Sequence, residues 1–475
     1  MTSDRAGHFY IDGDWCEPVA PAPAIPVIDP ATESAIGTVA AGSAADVDRA
    51  VAAATRAFPA FSISPVADRI ALLGRIAALL EARAEAFAQA IATEMGAAIG
   101  FARASQVPFA IAHVRAQMDV LADYRFERQE AGFTLCKEAI GVCALITPWN
   151  WPLYQITAKV APAIAAGCPV VLKPSELSPY SALLFAQVMH DAGTPPGVFN
   201  LVGGTGEVVG AALAAHPDVA MISITGSTRA GVLVAQAAAV SVKRVVQELG
   251  GKSPNILLPD ADFAHAVPRG VMAGMRNVGQ SCSAPTRMLV PADRLAEVES
   301  LAAAAAAEWR VGPPGDEATT MGPIANAAQH ARVQAMIAMG QAEGARLIAG
   351  GPGRPGGLNR GFYVRPTIFS GVTRDMAIAR EEIFGPVLCI MPYADADEAV
   401  SIANDTVYGL GAQVQSSDPA RAKAIARRIR SGQVHINYPA WTAHAPFGGY
   451  KQSGNGREYG VHGFEEYLET KAILA

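Results

Sequence analysis

The chain has 475 residues, of which 51% are hydrophobic and 17% are charged. This length and composition predict a large buried core divided between two or three folding units. The formal net charge of -6 lacks the basic excess with which proteins bind a phosphate backbone or an anionic membrane. Neither nucleic acid nor a membrane is therefore an expected partner.

The amino-terminal stretch MTSDRAGHFYIDGDW contains no apolar run of the kind found in a signal peptide. The longest uncharged run, residues 139–158, is interrupted by Pro148, Asn150, Pro152 and Gln155. This pattern is typical of a buried strand and turn rather than a membrane helix. We expect a soluble protein located in the cytoplasm.

The cysteines and histidines lack the spacings of a metal site. No C-x-x-C pair and no H-x3-H pair occurs among them, so no metal is expected. Disulfides are not expected in a reducing compartment either. Each cysteine is therefore either a packing residue or a chemical group, and these are Cys16, Cys136, Cys143, Cys168, Cys282 and Cys389.

The first part of the chain is helical in pattern. Residues 43–57 begin with a capping box, Ser43 and Asp46, and continue with apolar residues at helical spacing. Alanine-rich helical patterns follow at about 65–95 and 105–122.

Short apolar segments then alternate with helical stretches, first from residue 140 and again from residue 254. This alternation predicts two α/β units with doubly wound parallel sheets. Between the first helices and the first sheet, residues 124–141 alternate polar and apolar side chains around Gly132. They predict a β-hairpin, which we take as the leading contact between subunits.

Two glycine pairs, Gly206 with Gly210 and Gly226 with Gly231, follow predicted strands and precede helices. Neither matches G-x-G-x-x-G, so each is either a phosphate site or a tight strand-helix turn. Lys173 to Glu176 also follows a strand, at the sheet edge where ligands bind. Its carboxylate is suited to a ribose and would repel a 2'-phosphate, although a solvated ion pair is the alternative.

Three residues are candidates for chemistry. Cys282 lies among small residues in NVGQSCSAPTR, and its thiol would need a helix-start amide or a positive group to ionise at neutral pH. Glu248 precedes a Gly-Gly turn and is either a buried proton acceptor or a helix-end carboxylate. Asn150, between two tryptophans, is a neutral amide suited to an oxyanion.

Seven motifs occur across nearly the whole chain: PWN at 148–150, KPSE at 173–176, ITGST at 224–228, ELGGKSPN at 248–255, GQSC at 279–282, EEIFGPV at 381–387 and PFGGYKQSGNGRE at 446–458. Together, and in this order, they resemble the aldehyde dehydrogenase superfamily.

This resemblance implies the fold and the domain organisation. We expect two Rossmann-type α/β domains and a bridging β-hairpin oligomerisation element. The cofactor domain would comprise residues 1–120 and 140–250, and the catalytic domain residues 251–446. Residues 121–139 and 447–475 would bridge the subunits of a dimer or tetramer. NAD(P) would bind without the G-x-G-x-x-G loop.

The resemblance also implies the roles of the catalytic residues. Cys282 would be the nucleophile and Glu248 the general base, while Asn150 would donate to the oxyanion; Lys173 is included in this catalytic set. Glu248 favours hydrolysis of a thioester over transfer to coenzyme A. Glu176 favours NAD, with NADP as the alternative.

By the same match of motifs, a set of residues would bind the cofactor. The set comprises Ile146, Thr147, Pro148, Trp149, Lys173, Ser175, Glu176, Gly206, Gly210, Gly226, Ser227, Leu249, Glu382 and Phe384.

A second set would form the aldehyde pocket: Trp151, Tyr154, Ser281, Ser283, Trp441, Thr442 and Phe447. Its large aromatic residues favour an apolar or aromatic aldehyde. A charged semialdehyde is the alternative, and it would require an arginine from elsewhere, such as Arg103, Arg276 or Arg287.

Two other classes of protein compete with this interpretation. A cysteine hydrolase would need a histidine base, and no histidine is marked as one. A non-catalytic binding protein would have no need to retain Cys282, Glu248 and Asn150 together.

Overall fold

The computed structural model describes residues 5–474, which form alternating strands and helices. The strands, in chain order, are β1 (Phe9–Ile11), β2 (Asp14–Cys16), β3 (Ile25–Asp29), β4 (Ser34–Val39), β5 (Glu127–Glu130), β6 (Phe133–Ala139), β7 (Cys143–Ile146), β8 (Val170–Lys173), β9 (Phe199–Leu201), β10 (Met221–Thr225), β11 (Arg244–Glu248), β12 (Pro254–Leu257), β13 (Arg287–Pro291), β14 (Arg346–Ala349), β15 (Thr367–Ser370), β16 (Val387–Tyr393), β17 (Gly411–Gln415), β18 (Gln433–Ile436) and β19 (Leu468–Leu474).

The α-helices lie between these strands. They are α1 (Ala44–Phe61), α2 (Val66–Ala82), α3 (Ala84–Met95), α4 (Ile99–Phe101), α5 (Val107–Asp123), α6 (Pro152–Ala166), α7 (Pro179–Asp191), α8 (Ala211–Ala215), α9 (Thr228–Ala238), α10 (Phe263–Met275), α11 (Leu295–Ala307), α12 (Ala327–Ala342), α13 (Ala377–Arg380), α14 (Ala396–Asn404), α15 (Pro419–Ala426) and α16 (Gly460–Glu465).

The first sheet has the order β11-β10-β7-β8-β9-β1-β2. Its five strands from β7 to β11 are parallel, and the short strands β1 and β2 add an antiparallel edge. Every residue of β7 and β8 is buried, because helices cover both faces of a doubly wound sheet. This explains why their sequences are continuous apolar runs.

The second sheet has the order β14-β15-β16-β13-β12-β17-β18, and it is parallel except for β14. It is built wholly from residues after β11, and it has its own apolar core. The two sheets therefore lie on either side of the predicted division at residue 250. The division into domains itself stays a prediction. Residues 1–4 of the predicted cofactor domain and residue 475 of the predicted bridging segment lie outside the residues that the structure describes.

The hairpin predicted around Gly132 consists of β5 and β6, with Gly132 in the left-handed conformation at φ 86°. The last strand, β19, pairs antiparallel with β6 and completes a three-stranded sheet. This third strand was not predicted, because its pairing joins segments more than 300 residues apart in the chain. The small sheet of β3 and β4 was not predicted either.

The helical patterns agree with the structure except in their lengths. Ser43 and Asp46 form the predicted capping box at the start of α1. The pattern at 65–95 divides into α2 and α3 at Arg83, whose backbone leaves the helical region at φ -111° and ψ 15°. Its guanidinium forms an ion pair with Asp191. Among residues 5–474, no helix is both long enough and apolar enough to cross a membrane.

Candidate active site

The loop that carries Cys282 turns sharply after α10. Asn277 and Val278 adopt the left-handed conformation, at φ 56° and 60°, which is strained for a β-branched valine. Gly279 follows at φ 68°, and a Cβ atom there would lie 2.1 Å from the carbonyl oxygen of Gly385. Only glycine allows this close approach, which brings Cys282 against the loop after α13.

Cys282 lies where two cavities meet. One has a volume of about 300 Å³ and is bounded largely by aromatic side chains; we call it the aldehyde cavity. The other, of about 460 Å³, contains Glu248, Gly226 and Glu382 in its wall; we call it the cofactor cavity. Cys282 is part of both walls. A group bound in either cavity can therefore reach its sulfur.

Glu248 ends β11 and faces the cofactor cavity with only 1% of its surface exposed. Neither of its carboxylate oxygens has a hydrogen-bond partner among the described residues. Burial raises the pKa of Glu248 to about 8, and the negative charge of Glu458 adds to this effect. A carboxyl group with this pKa can exchange a proton near neutral pH.

The thiol of Cys282 is in an environment that opposes its ionisation. Burial raises the pKa of Cys282 well above its ordinary value, and the negative charge of Glu248 contributes next. The thiolate form is therefore favoured only when Glu248 is protonated or when positive charge enters the neighbouring cavity.

Asn150 follows β7 and is almost fully buried in the wall of the cofactor cavity. Its Nδ2 donates to the carbonyl oxygen of Gln280 at 2.9 Å, two residues before Cys282. The backbone carbonyl oxygen of Asn150 accepts from Nδ2 of Asn277 at 2.8 Å. The bond to Gln280 holds the side chain, whose second amide N–H is free, in the same cavity wall as Cys282.

A buried ion pair lies near Glu248, and sequence reasoning did not identify it. The Nζ of Lys159, on α6, pairs with Glu458 and donates to Oγ of Ser223 at 3.0 Å. Lys159 is completely buried. Its apolar sequence surroundings gave no signal of an ion pair, because the partner is 299 residues away in the chain.

Six of the predicted cofactor residues line the cofactor cavity: Pro148, Trp149, Gly226, Ser227, Glu382 and Phe384. The rings of Trp149 and Phe384 meet edge to face at 5.4 Å. A Cβ atom at Gly250 would lie 2.2 Å from Oε2 of Glu382. The absence of that atom lets the Glu382 carboxylate accept from the backbone N–H of Gly251 at 3.0 Å. Burial raises the pKa of Glu382 to about 7.

The other predicted cofactor residues lie outside this wall: Ile146, Thr147, Lys173, Ser175, Glu176, Gly206, Gly210 and Leu249. Lys173 is buried at the end of β8, and its Nζ donates to Glu176 at 2.9 Å. Lys173 is not part of either cavity wall that contains Cys282, and its place in the catalytic set stays a prediction. Leu249 packs against Gly231, and Gly206 starts a π-helical turn that ends at Gly210.

The start of α9 gives the cofactor cavity a set of backbone donors. Ser227 caps this helix by accepting from the N–H of Ala230 at 3.2 Å. Helix starts favour anions because their first N–H groups are free. Further residues of the wall were not predicted. Four of them lie within the motifs but were given no role, namely Thr225, Thr228, Gly250 and Glu381, and four lie outside the motifs, namely Arg229, Gln329, Arg332 and Tyr408.

Six of the seven predicted pocket residues line the aldehyde cavity: Trp151, Tyr154, Ser281, Ser283, Trp441 and Phe447. Thr442 does not; it is exposed, and its Oγ1 accepts from the N–H of His444. The cavity also contains aromatic and amide residues that no motif indicated, since they lie on α5, around β17 and β18 and just before α16: Phe109, Gln413, Gln433, His435, Tyr438 and Tyr459.

Of the three arginines considered for this pocket, only Arg276 lines it. Arg103 is at the surface, where it pairs with Glu85 and Glu317. The guanidinium of Arg287 is buried elsewhere and donates to three backbone carbonyl oxygens.

Comparisons with known proteins decide the family. The model of the aldehyde dehydrogenase family matches residues 15–473. A 3-succinoylsemialdehyde-pyridine dehydrogenase of a Pseudomonas species is 53% identical over 467 residues, which cover 98% of both chains. The chain belongs to the aldehyde dehydrogenase family. It is therefore an oxidoreductase that acts on aldehydes.

Solved structures resemble this aldehyde dehydrogenase closely. A mutant of aldehyde dehydrogenase C from Pseudomonas syringae, crystallised with NAD+ and octanal, has a TM-score of 0.98 at 68% identity. The match covers 99% of this chain and 97% of that one. The indole-3-acetaldehyde dehydrogenase AldA of the same species, a mutant in complex with NAD+ and IAA, has a TM-score of 0.95 at 38% identity. That match covers 98% and 96% of the two chains.

These findings confirm the family, the fold class and the enzyme class expected of this aldehyde dehydrogenase. They exclude the cysteine hydrolase and the non-catalytic protein as descriptions of the chain. Among residues 5–474, no cluster of three or more His, Cys, Asp or Glu residues is arranged to hold a metal ion. All six cysteines are free thiols.

Proposed function

We propose that this enzyme oxidises an apolar or aromatic aldehyde to a carboxylic acid with NAD, through covalent intermediates on Cys282. One observation carries the proposal: Cys282 belongs to the walls of both cavities. Transfer of hydride from an aldehyde to a dinucleotide requires both molecules to lie next to the Cys282 sulfur, because the reacting groups must be within contact distance.

The first step is the addition of the Cys282 thiolate to the aldehyde carbon, which forms a C–S bond and moves an electron pair onto the carbonyl oxygen. The second amide N–H of Asn150 donates to this oxyanion. Asn150 is held by its bond to Gln280 before the substrate arrives, and a donor fixed in advance stabilises the developing charge without reorganisation.

NAD, when bound, supplies the acceptor for the hydride that the thiohemiacetal loses as its C–H bond breaks. A thioester then remains on Cys282. Glu248 takes a proton from water, which attacks the thioester carbon, and the C–S bond breaks to return the thiolate and release the acid. The raised pKa of Glu248, about 8, suits this proton transfer.

The residues of the cofactor cavity fit a dinucleotide. The N–H groups at the start of α9 suit the diphosphate, and the exposed side chain of Arg229 lies beside them. Trp149 and Phe384 provide flat apolar walls for the nicotinamide, with Glu382 near its ribose.

NAD is preferred over NADP because of Glu176. This carboxylate is partly exposed beside Lys173. There it would accept hydrogen bonds from the ribose hydroxyl groups and repel a 2'-phosphate. Two similar structures, those of aldehyde dehydrogenase C and AldA from Pseudomonas syringae, are complexes with NAD+.

The aldehyde cavity favours apolar or aromatic substrates because Trp151, Tyr154, Trp441 and Phe447 form much of its wall. Phe109 stacks on Trp441 at 4.4 Å and extends this surface. The similar proteins include one crystallised with octanal and one named for indole-3-acetaldehyde.

The predicted domains, oligomer and location belong to the same proposal. Residues 1–120 and 140–250 form the cofactor domain, and residues 251–446 form the catalytic domain. Residues 121–139 and 447–475 bridge a cytoplasmic dimer or tetramer. The exposed edge of β5 and the exposed side chains of Ile473 and Leu474 support a contact there.

The test is to incubate the purified enzyme with NAD and octanal or benzaldehyde while recording NADH absorbance. NADH and the acid should form in equal amounts. Mass spectrometry of the enzyme after an acid quench should find the acyl group on the peptide that contains Cys282. NADH formation without any adduct on this peptide would contradict the proposed chemistry.

A further inference from the structure

The aldehyde cavity contains one permanently charged group. Its wall consists of aromatic, small and amide residues together with His435, and the described residues contribute no Asp, Glu or Lys to it. Burial lowers the pKa of His435 and so favours the neutral imidazole. The guanidinium of Arg276 therefore determines the sign of the charge in the cavity.

Arg276 immediately follows α10, and aromatic rings hold its guanidinium. The Cζ atom lies 5.1 Å from the ring centre of Phe101, 5.3 Å from that of Phe109 and 5.8 Å from that of Trp151. Cation–π contacts of this kind fix the position of the guanidinium without using its N–H groups. The indole N–H of Trp151 donates to Oγ of Ser281 at 2.9 Å, which links this cluster to the residue beside Cys282.

The N–H groups of Arg276 have no acceptor. Among residues 5–474, no salt bridge or hydrogen bond involves its guanidinium, although the residue is only partly exposed. Arg103 and Arg287 differ in this respect, because the first pairs with two carboxylates and the second donates to three carbonyl oxygens. A guanidinium carries five donors, and those of Arg276 are left to water or to a ligand that enters the cavity.

We propose that Arg276 is a specificity-determining residue, which binds an oxygen acceptor on the tail of the aldehyde, either a carboxylate or a ketone. The substrate class is then an aldehyde whose apolar body contacts the aromatic wall and whose far end accepts hydrogen bonds from the guanidinium. This inference rests on the proposed function and refines its substrate. It selects Arg276 from the three arginines that the sequence left open for a charged substrate.

A purely structural role for Arg276 makes a different prediction. If the side chain only supported Phe101, Phe109 and Trp151, its removal would weaken the oxidation of all aldehydes by the same factor. An acceptor-binding role instead changes the ratio between substrates that differ only at the far end. The ratio of kcat/KM values is therefore the readout that separates the two roles.

The experiment compares three aldehydes with NAD: octanal, the same chain with its terminal methyl group oxidised to a carboxylate, and the same chain with a ketone one carbon from that end. Arg276→Met removes the donors and keeps an apolar stem over the rings. Arg276→Lys keeps the charge and loses the planar fork. Arg103→Met is the matched control, since it removes an arginine outside the cavity.

In Arg276→Met, the ratio of kcat/KM for an acceptor-bearing aldehyde to that for octanal should fall by about 10- to 100-fold, as expected for losing a hydrogen bond to a charged group. Arg276→Lys should retain part of the ratio for the carboxylate, and Arg103→Met should retain the wild-type ratios. The acceptor whose kcat/KM ratio to octanal falls further in Arg276→Met identifies the natural acceptor.

The inference would be overturned if the kcat/KM ratios to octanal stayed at the wild-type values for both acceptor-bearing aldehydes in Arg276→Met and Arg276→Lys. The proposed function would stand in that case, because octanal oxidation and the adduct on Cys282 do not depend on the ratio. Wild-type enzyme that oxidises none of the three aldehydes would overturn both. Thermal unfolding of each variant identifies one that fails to fold, and the lysine variant then carries the test.

Discussion

The carboxylate of Glu248 and the thiol of Cys282 lie side by side in the wall of one cavity, and each affects the ionisation of the other. The negative charge of Glu248, second only to burial, raises the pKa of Cys282. Burial raises the pKa of Glu248 itself to about 8, so its carboxyl group is mostly protonated at neutral pH in the free enzyme. A neutral Glu248 permits the thiolate to form, and an ionised Glu248 is needed later to activate water.

Replacing the nucleophile should abolish oxidation. We expect Cys282→Ala to form no NADH with any aldehyde, because no other thiol lines the two cavities. Cys16→Ala is the matched control: this half-buried cysteine lies outside both cavities, and the variant should have wild-type activity. Steady-state NADH formation measures the result, and sustained turnover by Cys282→Ala would refute the assignment.

Replacing the general base should stop the reaction at the thioester. Glu248→Gln should give a burst of NADH of about one equivalent per active site, followed by slow turnover, because addition and hydride transfer do not require this carboxylate. Rapid-mixing absorbance measures the burst, and mass spectrometry should find the acyl enzyme accumulated. Turnover at the wild-type rate would show that another group activates the water.

The rate of thioester hydrolysis should depend on pH. A general base must be deprotonated, so the rate should rise with pH and level off above the pKa of Glu248, about 8 in the free enzyme. Single-turnover hydrolysis of a preformed acyl enzyme isolates this step. The rise should be absent in Glu248→Gln, and an identical rise in that variant would assign the titration to another group.

Removing the side-chain donor of Asn150 should slow chemistry more than binding. Asn150→Ala should lower kcat by about 100- to 1000-fold, the cost typical of losing one oxyanion donor, with a smaller change in KM. Asn150 also bonds to Gln280, so circular dichroism and thermal unfolding are needed to check the fold. A change confined to KM would indicate that Asn150 stabilises the bound substrate and the transition state equally.

The cofactor preference should depend on Glu176. The wild-type enzyme should have a higher kcat/KM for NAD than for NADP, and Glu176→Gln should reduce that preference by at least about 10-fold, because it removes a like charge from the site of the 2'-phosphate. Asp218→Asn is the control, because it changes an exposed acidic residue before β10 that lies outside the cofactor cavity and the predicted cofactor set. A wild-type preference for NADP would contradict the role given to Glu176.

The buried pair of Lys159 and Glu458 should matter for stability. Lys159→Met leaves the Glu458 carboxylate buried without its partner and should lower the free energy of unfolding by about 3–5 kcal/mol. The double variant with Glu458→Met should recover part of this loss, because no uncompensated charge remains. Chemical denaturation measures both, and equal losses in the single and double variants would argue against charge as the cause.

The sequence alone supported the local features of the fold. The capping box at Ser43 starts a helix because its two hydrogen bonds join residues three apart. The apolar runs of β7 and β8 indicate strands covered on both faces. Ordered motifs also sufficed for the family, and the structure brings Cys282, Glu248 and Asn150 to one cavity wall.

The tertiary structure alone determined the features that join distant segments. The partner of Lys159, the third strand beside the hairpin and the place of Arg276 in the aldehyde cavity each depend on residues that no local pattern connects. The sequence did not distinguish Arg103, Arg276 and Arg287 as candidates for the pocket, because it does not show the environment of an arginine side chain. Only packing distinguishes the arginine with free donors inside the cavity from one paired at the surface and one bonded to the backbone.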